Sequence, residues 1–218
     1  MVNKLTNNNL TAFTEEVFQG YTVNQKYTLA EEYLLRLSDV MDGALDDWSR
    51  VMLFHATLKF PNCYKDVDIP GYQEGCISRF IESFKAKLKA DYTKKIRNGK
   101  TAYQPKVRFA WARERDSSLN DHFHVFIFLN GDAYRQLGVP YSDRPNTATR
   151  IVDSWRSAIK LDRFDVRGLV HFTHSMCISR NSKDYLDQCD KAFFWLSYLA
   201  KIETKQFGDK VKSFSCSM

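Results

Sequence analysis

The chain has 218 residues, of which 44% are hydrophobic and 14% aromatic, and this is enough for one sizeable hydrophobic core. Its apolar runs fall short of the roughly 18 residues of a membrane span, and its N-terminus lacks the basic, apolar and small-residue order of a signal peptide. The net charge is +6, but residues 1–49 hold three basic and eight acidic side chains, so the remaining 169 residues carry +11. This basic body favours a polyanion such as nucleic acid as its partner.

Two absences in the sequence narrow the function classes further. The five cysteines are scattered and contain no CxxC pair, so we expect reduced thiols in a cytoplasmic protein rather than a disulfide framework or a zinc site. No GxxxxGK[ST] loop occurs, so any helicase activity would have to come from a separate host protein.

The predicted elements begin with an acidic, partly helical extension, residues 1–48, ahead of a second domain, residues 49–218. Thr28 is a candidate N-cap for the helix of this extension, because Glu31 follows three positions later. Beyond it, apolar patterning predicts strands at 50–61, 105–116, 121–130 and 167–175, and helices at 75–100, 146–160 and 190–208. This β-α-β-β-α-β-α order indicates an α+β protein of ferredoxin-like kind, with an antiparallel sheet and helices packed on one face.

The strand at 121–130 opens with two histidines, His122 and His124, which share one face because side chains alternate along a strand. If the preceding hairpin turn centres on Ser118, Glu114 lies directly opposite His122. Two imidazoles and a carboxylate at one point form a candidate site for Mg²⁺, Mn²⁺ or non-haem iron. A polar strand end without a metal is the alternative, and a one-residue slip of register would move Glu114 to the other face.

The small residues Ala110 and Ala112 lie beside this cluster on the same predicted face, which leaves room for a substrate or a helix. The other histidines are weaker candidates. His171 and His174 are three positions apart, so we expect them on opposite faces of their strand, as surface or DNA-contact positions. His55 is likewise not predicted to be a ligand.

A second candidate pair, Tyr198 and Lys201, lies in the last predicted helix. The two residues are neighbours at i and i+3, and Phe194 and Lys205 extend the same stripe. A phenol with a pKa of about 10 is a poor nucleophile at neutral pH, but a nearby cation lowers that pKa. The alternative is a structural aromatic side chain beside a solvated lysine.

Three segments together resemble the HUH superfamily of replication-initiator nicking endonucleases: LFHATLKFP at 53–61, Glu114 with HFHV, and SYLAK. The sequence is most similar to the inovirus-type and YagK/YfjJ C-terminal group of that superfamily. The similar segments are WARE (111–114), HFHVFIFLN (122–130) and SYLAKIETK (197–205), and the resemblance spans roughly residues 48–218.

This resemblance implies that His122, His124 and Glu114 bind Mg²⁺ or Mn²⁺. It implies that Tyr198 is the nucleophile and that Lys201 neutralises the phosphate or assists proton transfer to the leaving oxygen. With a phenylalanine one turn before Tyr198, we expect a single-tyrosine enzyme. The implied activity is nicking of single-stranded or melted origin DNA, through a 5′-phosphotyrosine link that leaves a 3′-OH for rolling-circle replication by host helicase and polymerase.

Candidate DNA contacts come from the first motif and from basic side chains elsewhere, and the lysines of the helix at 75–100 could bind duplex or hairpin phosphates. These candidates are Thr57, Lys59, Lys85, Lys89, Lys94, Lys95, Arg113 and Lys205. Three alternatives remain open at this point. The chain could be a nucleic-acid-binding module of RNA-recognition type, a metal-dependent hydrolase in which water attacks, or a degenerate prophage copy that binds DNA without cutting it.

Overall fold

The structure, a computed structural model, describes residues 9–61, 75–115, 120–161, 166–205, 207–208 and 211–218. Four two-residue strands come first: β1 (Ala12–Phe13), β2 (Val17–Phe18), β3 (Tyr21–Thr22) and β4 (Leu29–Ala30). The longer strands are β5 (Arg50–Lys59), β6 (Arg108–Glu114), β7 (His122–Asn130) and β8 (Val170–Ser179), followed by the short β9 (Phe214–Cys216). The α-helices of the described residues are α1 (Glu31–Asp47), α2 (Cys76–Arg97), α3 (Thr147–Ala158) and α4 (Tyr185–Ser197).

The central feature is a five-stranded antiparallel sheet in the order β8-β5-β7-β6-β9. The predicted α+β class is therefore confirmed. The predicted hairpin is confirmed too, because Glu114 pairs with His122 and Ala112 pairs with His124. The proposed turn centre, Ser118, lies outside the described residues. None of the described helices combines the length and the apolar content that crossing a membrane would require.

Helices cover both faces of the sheet, so the expectation that they lie on one face is wrong. On one face, α2 and α3 pack against β5 and β7 through residues such as Phe84, Trp155 and Ile127. On the other, α1 and α4 pack on the same two strands through residues such as Leu37, Phe193 and Phe128. The physical reason is in β5, which is buried at every position between its two end residues, so both of its faces need cover.

Two helix ends also differ from the prediction. The N-cap of α1 is Ala30, which makes no side-chain cap bond, so Thr28 is not the cap. Instead, the Thr28 backbone bonds to the segment after α4, donating to the Glu203 side chain and accepting from the Ile202 N–H. At the C-terminal end, α4 stops at Ser197, and residues 198–200 form a turn of 3₁₀-helix.

A buried ion pair lies at the end of the β6–β7 hairpin where the connecting segment joins the two strands. The guanidinium of Arg113 donates to Asp121 at 3.1 Å, with only 4% of each side chain exposed, and Arg115 donates to the same carboxylate at 2.7 Å. Because Asp121 immediately precedes His122, this pair fixes where β7 begins relative to β6 and therefore maintains the register that aligns Glu114 with His122.

We expect Asp121→Ala to lower the free energy of unfolding by about 3–5 kcal/mol, because it leaves a buried guanidinium without its counter-ion. Urea denaturation measures the change. Asp132→Ala is the matched control, since Asp132 pairs with Arg50 at a half-exposed position and its loss should cost less than about 1 kcal/mol. Equal effects of the two substitutions would contradict this role of the buried pair.

Candidate active site

The β6–β7 hairpin brings the three predicted ligands together, as their register requires. The Oε2 atom of Glu114 lies 4.0 Å from His122 Nε2 and 3.7 Å from His124 Nε2. Glu114 is 1% exposed, whereas the rings of His122 and His124 are 17% and 13% exposed. The carboxylate therefore forms the floor of the cluster and the two rings form its wall.

Tyr198 and Lys201 point at the same carboxylate oxygen. The Tyr198 hydroxyl donates to Glu114 Oε2 at 3.2 Å, and Lys201 Nζ lies 2.8 Å from that oxygen. Lys201 Nζ also donates to the phenol oxygen at 2.7 Å. The pair is not on an α-helix as predicted but on the 3₁₀ turn, whose three residues per turn place positions i and i+3 on the same side.

Two lysines compensate the charge of the buried carboxylate. Besides Lys201, the ammonium of Lys205 lies 3.9 Å from Glu114 Oε1 and donates to the Lys201 carbonyl at 2.6 Å. Burial lowers the pKa of Lys205 to about 7. Burial also acts against protonation of Lys201, but its hydrogen bonds to Glu114 and Tyr198 outweigh that effect and raise its pKa. Lys201 is therefore the principal counter-ion of Glu114.

The phenol of Tyr198 is protonated in this resting arrangement. Burial raises its pKa, and the hydrogen bond from Lys201 only partly opposes that effect. Lys201 does lower the pKa of this tyrosine, as expected, but burial and the neighbouring Glu114 carboxylate raise it by more in the resting site. The nucleophile needs a further change of charge before it is activated.

The histidines of the cluster suit a metal ion. Burial lowers the pKa of His124 to about 3, and the neighbouring His122 and Lys201 act in the same direction, so the ring is neutral and has a free lone pair. Two octahedral ligands each about 2.1 Å from one ion lie about 3.0–4.2 Å apart, a range that contains both Nε2 to Oε2 distances. Among the described residues, Glu114 Oε1 is one of few buried side-chain atoms that accept no hydrogen bond. Glu114, His122 and His124 could therefore hold a hard divalent cation such as Mg²⁺ or Mn²⁺.

Sequence reasoning missed His55, which lies behind the cluster on β5. Its Nε2 atom is 3.2 Å from His124 Nδ1, and Thr57 Oγ1 is at the same distance from that nitrogen. Thr57 was expected to contact DNA, but only 8% of it is exposed and its hydroxyl faces His124. The signal was present in the alternation of β5, which places His55, Thr57 and Lys59 on one face, directly beside β7.

The other predicted DNA contacts fall into three locations. Lys59 is exposed at the mouth of the site, opposite His122. Arg113 and Lys205 are buried and bonded to carboxylates, so direct contact of either with DNA conflicts with the structure. Lys85, Lys89, Lys94 and Lys95 lie on α2, which covers the opposite face of the sheet from the histidines.

A β-bulge overturns the expected orientation of the two histidines in β8. Its register shifts between the partners of His55 and Ala56, so that His174 pairs with His55 and His171 pairs with Thr57. Because His55 and Thr57 share one face of β5, His171 and His174 also share a face, despite being three residues apart. Every histidine of the chain therefore lies on the same side of the sheet.

Comparisons with known proteins cover this whole arrangement. The family model of the YagK/YfjJ C-terminal domain matches residues 13–217. The chain is similar to the uncharacterized protein YagK of Escherichia coli (strain K12), with 33% identity over 192 residues, or 85% of this chain and 92% of the relative. It is also similar to the uncharacterized protein YfjJ of the same strain, with 28% identity over 193 residues, or 85% of this chain and 93% of the relative. No solved structure matches the chain.

The buried lysine gives a test of the site's electrostatics. We expect Lys205→Met to lower the free energy of unfolding by about 2–4 kcal/mol, because it removes a counter-ion of Glu114 and a donor to the Lys201 carbonyl. Lys89→Met, at an exposed position of α2, should change stability by less than about 0.5 kcal/mol. Combined with Glu114→Gln, Lys205→Met should cost less than the sum of the two single changes, as measured by a double-mutant cycle in urea. Strict additivity would mean that the two groups do not interact.

Proposed function

The chain belongs to the YagK/YfjJ C-terminal domain family, and we propose that it is a metal-dependent nicking endonuclease of the HUH kind. It would cut single-stranded or melted DNA at a phage, prophage or plasmid-type origin and start rolling-circle replication. One observation carries the proposal: a tyrosine hydroxyl and a lysine ammonium meet at the same carboxylate oxygen that two histidine rings face.

Each group in the cluster has a part in the proposed reaction. The phenol oxygen of Tyr198 attacks phosphorus and forms the O–P bond of a 5′-phosphotyrosine, while the bond from phosphorus to the 3′-oxygen breaks. The phenolic proton passes to a base. Glu114 Oε2 is the candidate base, because it accepts the hydrogen bond of the Tyr198 hydroxyl in the resting structure. Lys201 donates a proton to the departing 3′-oxygen, and exchange with water restores both groups. The free 3′-OH is the primer for a host polymerase.

The proposed cofactor is Mg²⁺ or Mn²⁺, held by Glu114, His122 and His124. Such an ion would screen the charge of the non-bridging phosphate oxygens during in-line attack. Lys59, exposed at the mouth of the site, is placed to contact the phosphate next to the cut. Because the covalent link conserves the phosphodiester, the same residues would rejoin strands without a nucleotide cofactor.

Two rival functions fit the arrangement less well. A module of RNA-recognition type stacks bases on exposed aromatic residues of its sheet. Here helices pack on both sheet faces, and the rings of Phe126 and Phe128 are buried, so such a platform is missing from the described sheet. A hydrolase using water would need no tyrosine in the cluster, whereas Tyr198 bonds directly to Glu114.

The nucleophile can be tested on a denaturing gel. With labelled single-stranded DNA of the origin region and Mn²⁺, wild type should form a covalent protein–DNA adduct that EDTA and Tyr198→Phe both abolish. Tyr27→Phe is the matched control, because this tyrosine packs edge-on against the Tyr198 ring at 5.5 Å but has no role in the reaction. Cleavage to free ends that survives Tyr198→Phe would assign the attack to water instead.

The lysines of α2 belong to a separate surface, on the far side of the sheet, where duplex or hairpin DNA flanking the cut could bind. We expect the double change Lys89→Ala with Lys94→Ala to reduce the slope of log affinity against log salt by about 1.8 for duplex DNA, since each lost phosphate contact removes about 0.9. Fluorescence anisotropy over a salt series measures this slope. Nicking of a short single strand should be unchanged.

Lys183→Ala, an exposed lysine outside α2, is the control. An unchanged slope would remove α2 from the DNA interface.

A further inference from the structure

We propose that His55 is a positioning residue, which fixes the ring tautomer of His124 and so keeps His124 Nε2 unprotonated and aimed at Glu114. This inference rests on the proposed function, because it concerns how the proposed metal ligand is prepared. It adds a residue from outside the histidine and tyrosine motifs, and a chain of hydrogen bonds that ends at the sheet edge.

The His55 ring is held on all sides. It is 6% exposed and stacks on Phe126 of the neighbouring strand, with the ring centroids 4.3 Å apart and the planes within 10°. On its other side it stacks on His174, at 5.7 Å, and His174 in turn stacks on Trp195 of α4 at 4.3 Å. These stacking contacts fix the plane of the ring, and its two hydrogen bonds determine which edge faces His124.

Both nitrogens of His55 have partners. The Nε2 atom lies 3.2 Å from His124 Nδ1, and the Nδ1 atom lies 2.6 Å from Thr173 Oγ1. Thr173 is the extra residue of the β-bulge in β8, since the residues on either side of it are the partners of His55 and Ala56. The bulge thus supplies a hydroxyl that a regular ladder would direct elsewhere.

The donor-to-acceptor direction of these hydrogen bonds follows from the chemistry of His124. Its Nε2 atom faces the Glu114 carboxylate at 3.7 Å, and a metal ligand must present a lone pair there. In a neutral ring the proton then sits on Nδ1, which donates to His55 Nε2. His55 Nε2 must therefore be an acceptor, so the His55 proton sits on its own Nδ1 and is donated to Thr173.

The reverse direction would place a proton on the wrong atom. If His55 Nε2 were the donor, His124 Nδ1 would have to accept, and the proton of His124 would move to Nε2, where it blocks a cation. Thr57 Oγ1, also 3.2 Å from His124 Nδ1, can either donate or accept and so does not select a tautomer. Of the two partners of His124 Nδ1, only His55 presents an atom whose role is fixed as donor or acceptor in a given tautomer, so we assign the selection to His55.

The first test measures Mn²⁺ affinity by electron paramagnetic resonance. We expect His55→Phe, which keeps a stacking ring but has no acceptor, to weaken Mn²⁺ binding by about 10-fold or more. His55→Gln can place an oxygen near the position of Nε2 and should stay within about threefold of wild type. The control is His171→Phe, an exposed position in the neighbouring strand β8, which should bind Mn²⁺ as wild type does. Thermal unfolding checks that each variant folds, and unchanged affinity in folded His55→Phe would overturn the inference.

A second measurement determines the tautomers directly in the metal-free wild type. In metal-free wild type labelled with ¹⁵N-histidine, long-range correlation spectra assign the tautomer of each ring, with resonances identified from single His→Gln variants. We expect His124 and His55 both to carry the proton on Nδ1, and a proton on Nε2 of either ring would overturn the inference. Wild type that binds no Mn²⁺ but has the expected tautomers would instead contradict the proposed metal-dependent function.

Discussion

Burial of the Glu114 carboxylate is the constraint on which the rest of the site depends. A carboxylate that is 1% exposed is costly unless cations and donors surround it, and here Lys201, Lys205 and the Tyr198 hydroxyl do so. These groups come from the segment after α4, whereas the carboxylate comes from β6. Compensation of this one buried charge therefore brings the 3₁₀ turn of Tyr198 against the β6–β7 hairpin that carries the histidines. These are the two parts that the proposed chemistry needs.

Residues of the N-terminal segment also bind the chain around the 3₁₀ turn of Tyr198. The Thr28 carbonyl accepts from the Ile202 backbone, the Thr28 N–H donates to the Glu203 side chain, and Leu29 forms an isolated β-bridge with Lys201 itself. The Tyr27 ring lies against Tyr198 and under the Lys201 ammonium. Residues 27–29 of the acidic extension thus reach the candidate active site, and its helix α1 packs on the same face of the sheet.

How much could be predicted depended on whether the controlling contacts were local. The Glu114–His122 pairing followed from strand alternation and one hairpin, so the sequence alone predicted it correctly. The bulge at Thr173 and the packing of α1 depend on partners far away in the chain, and no pattern in β8 or α1 signals them. The same holds for the end of α4. The helical periodicity of the sequence continues past Ser197, but the chain there forms a 3₁₀ turn, from which Tyr198 and Lys201 bond to the distant Glu114.

Lys201 links the charge of the cluster to the reactivity of the phenol. In the resting site its ammonium serves two oxygens, Glu114 Oε2 and Tyr198 Oη, and burial keeps the phenol protonated. A second cation on Glu114, held by the two histidines, would release Lys201 to stabilise the phenolate and the leaving oxygen. The proposed metal ligands and the tyrosine would then share one balance of charge, centred on the Glu114 carboxylate oxygen that contacts both.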